Sequence, residues 1–130
     1  MAQMQVHVVS ATRELYSGEA SAVFARSPEG QIAILPGHQP VLLALEISPV
    51  RVQESEGETI TWAVHAGFLE YRDDTLTVLA DIAERPEEID VSRAESARDR
   101  AREHVDDPDY KGNATAELRR AEIRLQLAET

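Results

Sequence analysis

Apolar and polar positions alternate with a period of two through much of residues 1–83. Met4, Val6 and Val8 alternate with Gln5 and His7, Val50 and Val52 with Arg51 and Gln53, and Ile60, Trp62 and Val64 with Thr61 and Ala63. This is the period of strands that bury one face. Further apolar runs lie at 20–25, 31–35, 41–47, 67–71 and 76–79. Turn formers separate them: Ser17-Gly18, Ser27-Pro28-Glu29-Gly30, Pro36-Gly37, Ser55-Glu56-Gly57-Glu58 and Arg72-Asp73-Asp74-Thr75. Short strands between regular turns predict an antiparallel β-sandwich or barrel.

The period changes near Glu84. Val91, Ala94, Ala97 (or Arg98), Ala101 and Val105 fall at helical spacing, and so do Ala114, Leu118, Ala121, Leu125 and Ala128. Asp106-Asp107-Pro108-Asp109 interrupts the two runs, and Asp90 stands where an N-cap carboxylate would accept the free N–H groups of the first turn. Glu87 and Glu88 also suit the positive end of a helix dipole. Gly112-Asn113 reads as a weak point at the start of the second helix. The spacing thus predicts an α+β chain: a sandwich over 1–84 followed by an antiparallel helical hairpin over 85–130. Both stripes are rich in alanine. A buried methyl contributes roughly 0.8 kcal/mol against about 2 for a leucine side chain. Such a hairpin is expected to leave its docked position readily.

Composition supports the division at residue 84. Nine of the eleven valines precede it, whereas nine of the 13 basic residues follow it. The chain carries a net charge of −11 over 130 residues, which disfavours direct contact with nucleic acid or anionic lipid. It has no cysteine, hence no disulfide or thiolate metal site. The first fifteen residues lack the basic start and apolar run of a signal peptide, and no run is long enough to span a bilayer. A cytosolic chain is expected, any membrane link running through a partner.

Candidate chemistry is sparse. His7, His38, His65 and His104 form no i,i+3 or i,i+4 pair, and no nucleophile, P-loop or dinucleotide motif is present. The histidines therefore read as surface or strand-edge residues, and Asp73-Asp74 as turn residues. The loop Leu35-Pro36-Gly37-His38-Gln39-Pro40 carries two prolines around a glycine. A stiff exposed loop of this kind suits docking better than catalysis. Twelve of the 13 basic residues are arginine, including Arg93, Arg98, Arg100 and Arg102 on the first helix and Arg119, Arg120 and Arg124 on the second. Arg120 can pair with Glu117 three residues back; otherwise the set suits phosphate or an acidic partner surface. On these residues alone a docking subunit, a nucleotide sensor and a small β-sandwich enzyme all remain open.

Several segments resemble the epsilon subunit of bacterial F-type ATP synthase, in order and over the whole chain. They are Val8-Val9-Ser10 with Ser17-Gly18, Gly30-Gln31-Ile32-Ala33-Ile34-Leu35-Pro36-Gly37-His38, Ala66-Gly67-Phe68-Leu69-Glu70, Leu76-Thr77-Val78-Leu79-Ala80, Ile89-Asp90-Val91-Ser92-Arg93-Ala94 and Ala116-Glu117-Leu118. The resemblance implies a non-catalytic central-stalk subunit that couples proton flow to ATP synthesis. It would be peripheral on the cytoplasmic side of the cell membrane. Its implied partners are the gamma subunit, the c-ring of the membrane sector and, when the hairpin extends and inhibits ATP hydrolysis, the alpha/beta catalytic head. No cofactor is implied as required; in some members of the family the folded hairpin binds ATP as a regulator. For ATP the resemblance points to Glu84, Ile89, Asp90, Arg93, Ala94, Arg100, Arg120 and Arg124. For c-ring and gamma docking it points to Gln31, Pro36, Gly37 and His38, and for the catalytic head to Arg119, Arg120 and Arg124. Gln31 stands where the family commonly has glutamate, and Ala33 and Ala66 where it commonly has glycine.

Overall fold

A computed structural model describes residues 3–129. Residues 1, 2 and 130, at the ends of the two spans assigned above, lie outside the described residues. Among the described residues nine strands come first: β1 (Met4–Val9), β2 (Glu14–Ser27), β3 (Gly30–Ile34), β4 (Val41–Leu45), β5 (Ser48–Glu54), β6 (Thr59–Val64), β7 (Gly67–Arg72), β8 (Thr75–Ala80) and β9 (Ala83–Glu84). A short 3-10 turn (Pro86–Glu88) leads to α1 (Val91–His104) and α2 (Ala114–Ala128).

The strand order is β4-β7-β8-β1-β2-β5-β6-β9, with β3 also paired to β2. All pairs are antiparallel except β1 with β8. The sequence suggested a turn at Ser17-Gly18, but the chain runs straight through it: Gly18 pairs with Val6 inside a 14-residue strand. The turn lies earlier, where Ser10 N–H donates to Arg13 O at 2.9 Å. Gly18 serves a close approach instead, since a Cβ there would lie 2.5 Å from the Tyr16 hydroxyl.

Strand β2 is the corner of the sandwich. Its first half pairs with β1, its register shifts between Ala20 and Ala22, and its second half pairs with β3 and β5. A bulge of this kind turns one strand from one layer into the next. The two layers enclose one core. Met4, Val6, Val8, Leu69, Leu76 and Val78 meet Val23, Ile34, Val50, Val52, Trp62 and Val64, all buried. These are the alternating positions of the sequence.

The helices follow their caps. Asp90 accepts from Arg93 N at 3.1 Å, as its position suggested. Asn113 accepts from Ala116 N at 3.0 Å, so Gly112-Asn113 is the N-terminal cap of α2 and no weak point within it. The seam between α1 and α2 buries Ala94 and Ala101 against the face of α2 that carries Ala114 and Ala121. Val91 and Val105, assigned to this stripe by spacing, are exposed beyond its ends. A second face of α2, carrying Ile123 and Leu127, docks on the outside of the β5–β6 layer.

Candidate functional site

Three residues join the hairpin to the sandwich through one carboxylate. The β6–β9 register sets Ala63 opposite Glu84 and brings His65, just past β6, to the same point. His65 Nε2 lies 2.9 Å from Glu84 Oε1, and Arg124 Nε of α2 lies 2.7 Å from that same oxygen. A carboxylate can only accept, so His65 Nε2 carries the proton and donates it. Glu84 is pushed down to about 2, chiefly by the His65 hydrogen bond, with Arg124 adding to it and burial opposing it. The sequence suggests surface or strand-edge histidines; His65 does lie at a strand end, but its side chain is only 2% exposed. What buries it is a pairing of two strands distant in the chain.

A second cation of α2, Arg119, lies 3.5 Å from Glu46, which also meets Arg26 at 3.7 Å. Between these ion pairs sits a small apolar contact. Ile123 and Leu127 pack on Ala63, with Ile47 and Ile89 at its edge. This contact is the principal attachment of the hairpin, and the alanine stripe alone does not disclose it.

The eight residues assigned to a nucleotide are spread among different duties. Glu84 and Arg124 bind each other, Asp90 caps α1, Ala94 is buried in the helix seam, and Ile89 packs against the docking contact. Arg93 and Arg100 are exposed on α1, Arg100 Nε reaching Ser96 O at 3.5 Å, and Arg120 is half-buried. The Arg120–Glu117 pair suggested by spacing is not among the described ion pairs; Glu117 instead accepts from the Tyr110 hydroxyl at 2.8 Å.

The docking-loop residues lie along one open edge of the sandwich, at its two ends. Gln31 sits in edge strand β3, opposite Arg26 and near the hairpin. Pro36, Gly37 and His38 sit beside the β7–β8 turn. Gly37 N–H donates to the Tyr71 hydroxyl at 2.9 Å and to Asp74 Oδ1 at 3.2 Å, while Tyr71 donates to Asp74 at 2.7 Å. His38 stands edge-on to the Tyr71 ring, 5.9 Å between centroids. Proline stiffness is thus only half of what shapes this loop; Tyr71 and Asp74 fasten it from across the edge. Asp73 and Asp74 adopt positive φ, as their turn role suggested.

The histidines do not converge. His7 meets Glu14, His65 meets Glu84, His104 meets Asp107 and His38 Nδ1 meets Gln39 O. Among the described residues there is no group of three or more potential metal ligands, and no helix long and apolar enough to cross a membrane.

A two-layer sandwich with a docked helical hairpin defines a recognisable class. The family described as "ATP synthase, Delta/Epsilon chain, beta-sandwich domain" matches residues 3–86, and "ATP synthase, Delta/Epsilon chain, long alpha-helix domain" matches residues 87–129. An ATP synthase epsilon chain of Streptomyces avermitilis is 46% identical over 96% of this chain and 94% of its own length. One of Dehalococcoides mccartyi is 41% identical over 99% and 94%. A chain of the Euglena gracilis mitochondrial ATP synthase (OSCP/F1/c-ring, rotational state 1) shares the fold, with a TM-score of 0.77 at 23% identity over 99% of this chain and 79% of that one. The chain belongs to the ATP synthase epsilon-chain family.

Proposed function

We propose that this chain is a non-catalytic rotor subunit of a proton-translocating ATP synthase, and that its hairpin restrains ATP hydrolysis when it leaves the sandwich. The observation that carries this reading is the hairpin's attachment. It rests on one small apolar contact and two partly exposed ion pairs, so undocking leaves the sandwich core untouched. Arg119 and Arg124, read above as contacts for the catalytic head together with Arg120, are held by Glu46 and Glu84 in the docked state. Acidic segments of an alpha/beta head would have to displace these carboxylates. Docked and extended states would then compete for the same guanidinium groups. Regulatory ATP bound at Arg93, Arg100, Arg120 and Arg124 would weight the docked side of that balance.

For gamma, the fitting surface is the outer face of the layer opposite the hairpin. The register sets Ala44 beside Phe68 and Phe68 beside Leu79, with Leu42 two residues along the same face. Leu42 is 68% exposed and Phe68 53%, an apolar patch that suits a protein partner. For the c-ring, the fitting surface is the fastened loop at His38. Contact with the membrane, on its cytoplasmic side, would run through the assembled complex. The test is crosslinking in that complex from a cysteine at each place. His38→Cys is expected to capture c, and Phe68→Cys gamma. Neither variant capturing a rotor subunit would overturn the placement.

A further inference from the structure

Two neighbouring residues at the joint point to opposite faces of the sheet. On β6, Trp62 and Val64 face the core, whereas Ala63 faces the hairpin. Strand β9 sets Glu84 opposite Ala63 and Ala83 opposite Val64, so Glu84 shares the hairpin face. Arg85 comes next and falls on the core side, level with Trp62. Its guanidinium carbon stands 5.3 Å from the centre of the Trp62 ring. Tyr16 of β2 closes the group. Its ring lies edge-on to Trp62 at 6.3 Å between centroids, and its hydroxyl donates to Glu54 Oε2 at 2.5 Å.

Three features give Arg85 more than a covering role. The first is its partner. Trp62 is 3% exposed and Arg85 Nε is buried, and a cation over an indole face is held more firmly where water is excluded. The carboxylate that Arg85 meets, Glu87 at 3.5 Å, is 66% exposed and screened, so the ring is the stronger hold. The second is the main chain. Arg85 N–H donates to Glu88 Oε1 at 2.8 Å, and Arg85 O accepts from Glu88 N–H at 3.0 Å. The residue is thus tied by its side chain to the sandwich and by its backbone to the turn that leads into α1. The third is the strand before it. β9 is two residues long and lies at the edge of its layer, so its ladder alone holds the Glu84 backbone weakly.

We infer that Arg85 is a positioning residue for the joint: held on Trp62, it fixes the backbone that aims the Glu84 carboxylate at Arg124. One oxygen of Glu84 serves both His65 Nε2 and Arg124 Nε. Two donors converging on one atom tolerate little movement of the strand that carries it. The anchor lies wholly on the sandwich side of the joint. It therefore persists when the hairpin leaves, and it keeps Glu84 in place for the hairpin's return, which lowers the ordering cost of docking. The inference concerns the docked joint and does not depend on the rotor assignment.

The test is a double-mutant cycle on the full chain, read by amide hydrogen exchange. Arg85→Ala is expected to accelerate exchange in α2 about fivefold, the loss of one cation–π contact, and Arg124→Ala by about the same factor. The double variant is expected to stay near about fivefold, because both changes remove the same contact. Arg85→Lys keeps a cation over the ring and is expected to restore most of the difference. Amides of β1 and β8 are expected to keep their rates throughout. The single tryptophan of the chain gives a second readout. Its emission is expected to change in Arg85→Ala and to stay the same in Leu127→Ala, which frees the hairpin but leaves the anchor. Single effects that multiply, to about 25-fold in the double variant, would make Arg85 and Arg124 independent and overturn the inference. So would unchanged exchange in α2 for either single variant, equal acceleration in β1 and β8, or an emission change in Leu127→Ala.

Discussion

Replacing Leu127 with alanine should loosen the hairpin and nothing else. Leu127 is 2% exposed and packs, with Ile123, on Ala63 outside the sandwich core. The change removes three buried carbons, about 2.5 kcal/mol at roughly 0.8 kcal/mol each, near the lower end of measured leucine-to-alanine losses. What remains is Ile123 and the pairs Arg124–Glu84 and Arg119–Glu46. Partly exposed pairs of this kind contribute about 1 kcal/mol or less each. A loss of 2.5 kcal/mol raises the undocked fraction by a factor of about 60. Amide hydrogen exchange on the full chain reads this directly. Exchange in α2 should accelerate by about that factor, while amides of β1 and β8, at the centre of the sheet, keep their rates. Equal acceleration in the strands would mean that hairpin and sandwich unfold as one unit. No acceleration in α2 would mean that the Ile123–Leu127 contact is not what holds it. Either result refutes the reasoning.

Other consequences follow from single groups. A carboxylate whose folded pKa lies below its unfolded value stabilises the fold above that unfolded value, and the contribution disappears as protons bind. Glu84 moves from 4.5 to about 2, so its share is present above pH 4.5 and is lost as pH falls toward 2. In full the shift would amount to about 3 kcal/mol; with a quarter of the side chain exposed, about 1–2 is the working figure. Urea denaturation of Glu84→Gln should show lower stability at pH 7 and a flatter decline across that range than the native chain; parallel curves would assign the acid sensitivity elsewhere. At the β6–β7 connection, Gly67 has φ +142° and a Cβ there would lie 2.1 Å from Leu79 O, so Gly67→Ala should lower thermal stability by about 2 kcal/mol or more. Its neighbour Ala66 sits at φ +66°, and Ala66→Gly should be neutral or raise stability by up to about 1 kcal/mol, relief of the left-handed strain being offset by a freer unfolded chain. Thermal melts should show a lower midpoint for Gly67→Ala and an unchanged or higher one for Ala66→Gly; a loss at Ala66→Gly matching that at Gly67→Ala would contradict the backbone argument.

How much of this was legible depended on whether an element declares itself locally. The alternation at Met4-Val6-Val8 and the Asp90 cap did, and both stand in the structure as read. Strand β2 did not. Gly18 carries the local signature of a turn, and only its pairing with Val6 and the Tyr16 side chain lying over it explain a glycine within a strand. Helix α2 is ambiguous for another reason, since it has two apolar faces. The alanine stripe repeats over four turns and dominates the pattern. Ile123 and Leu127 at i,i+4 form a second, shorter stripe that was visible in principle, but nothing local indicates that it faces a sheet. His65 and Glu84 lie 19 residues apart and meet only through the β6–β9 register. At the hairpin joint the sequence did not disclose the present partners of these side chains. Glu84 and Arg124 were read as ligands for a nucleotide, and in the docked state they bind each other.

The claim on which the account turns is that the hairpin, once free of the sandwich, restrains the motor. Its most direct test is the rate of ATP hydrolysis by the assembled complex, with this chain either complete or ended after Glu84, which retains β9 and its pairing with β6. The account expects faster hydrolysis without the hairpin and slower hydrolysis when Leu127→Ala frees it. Equal rates in all three complexes, with and without a proton gradient, would contradict it.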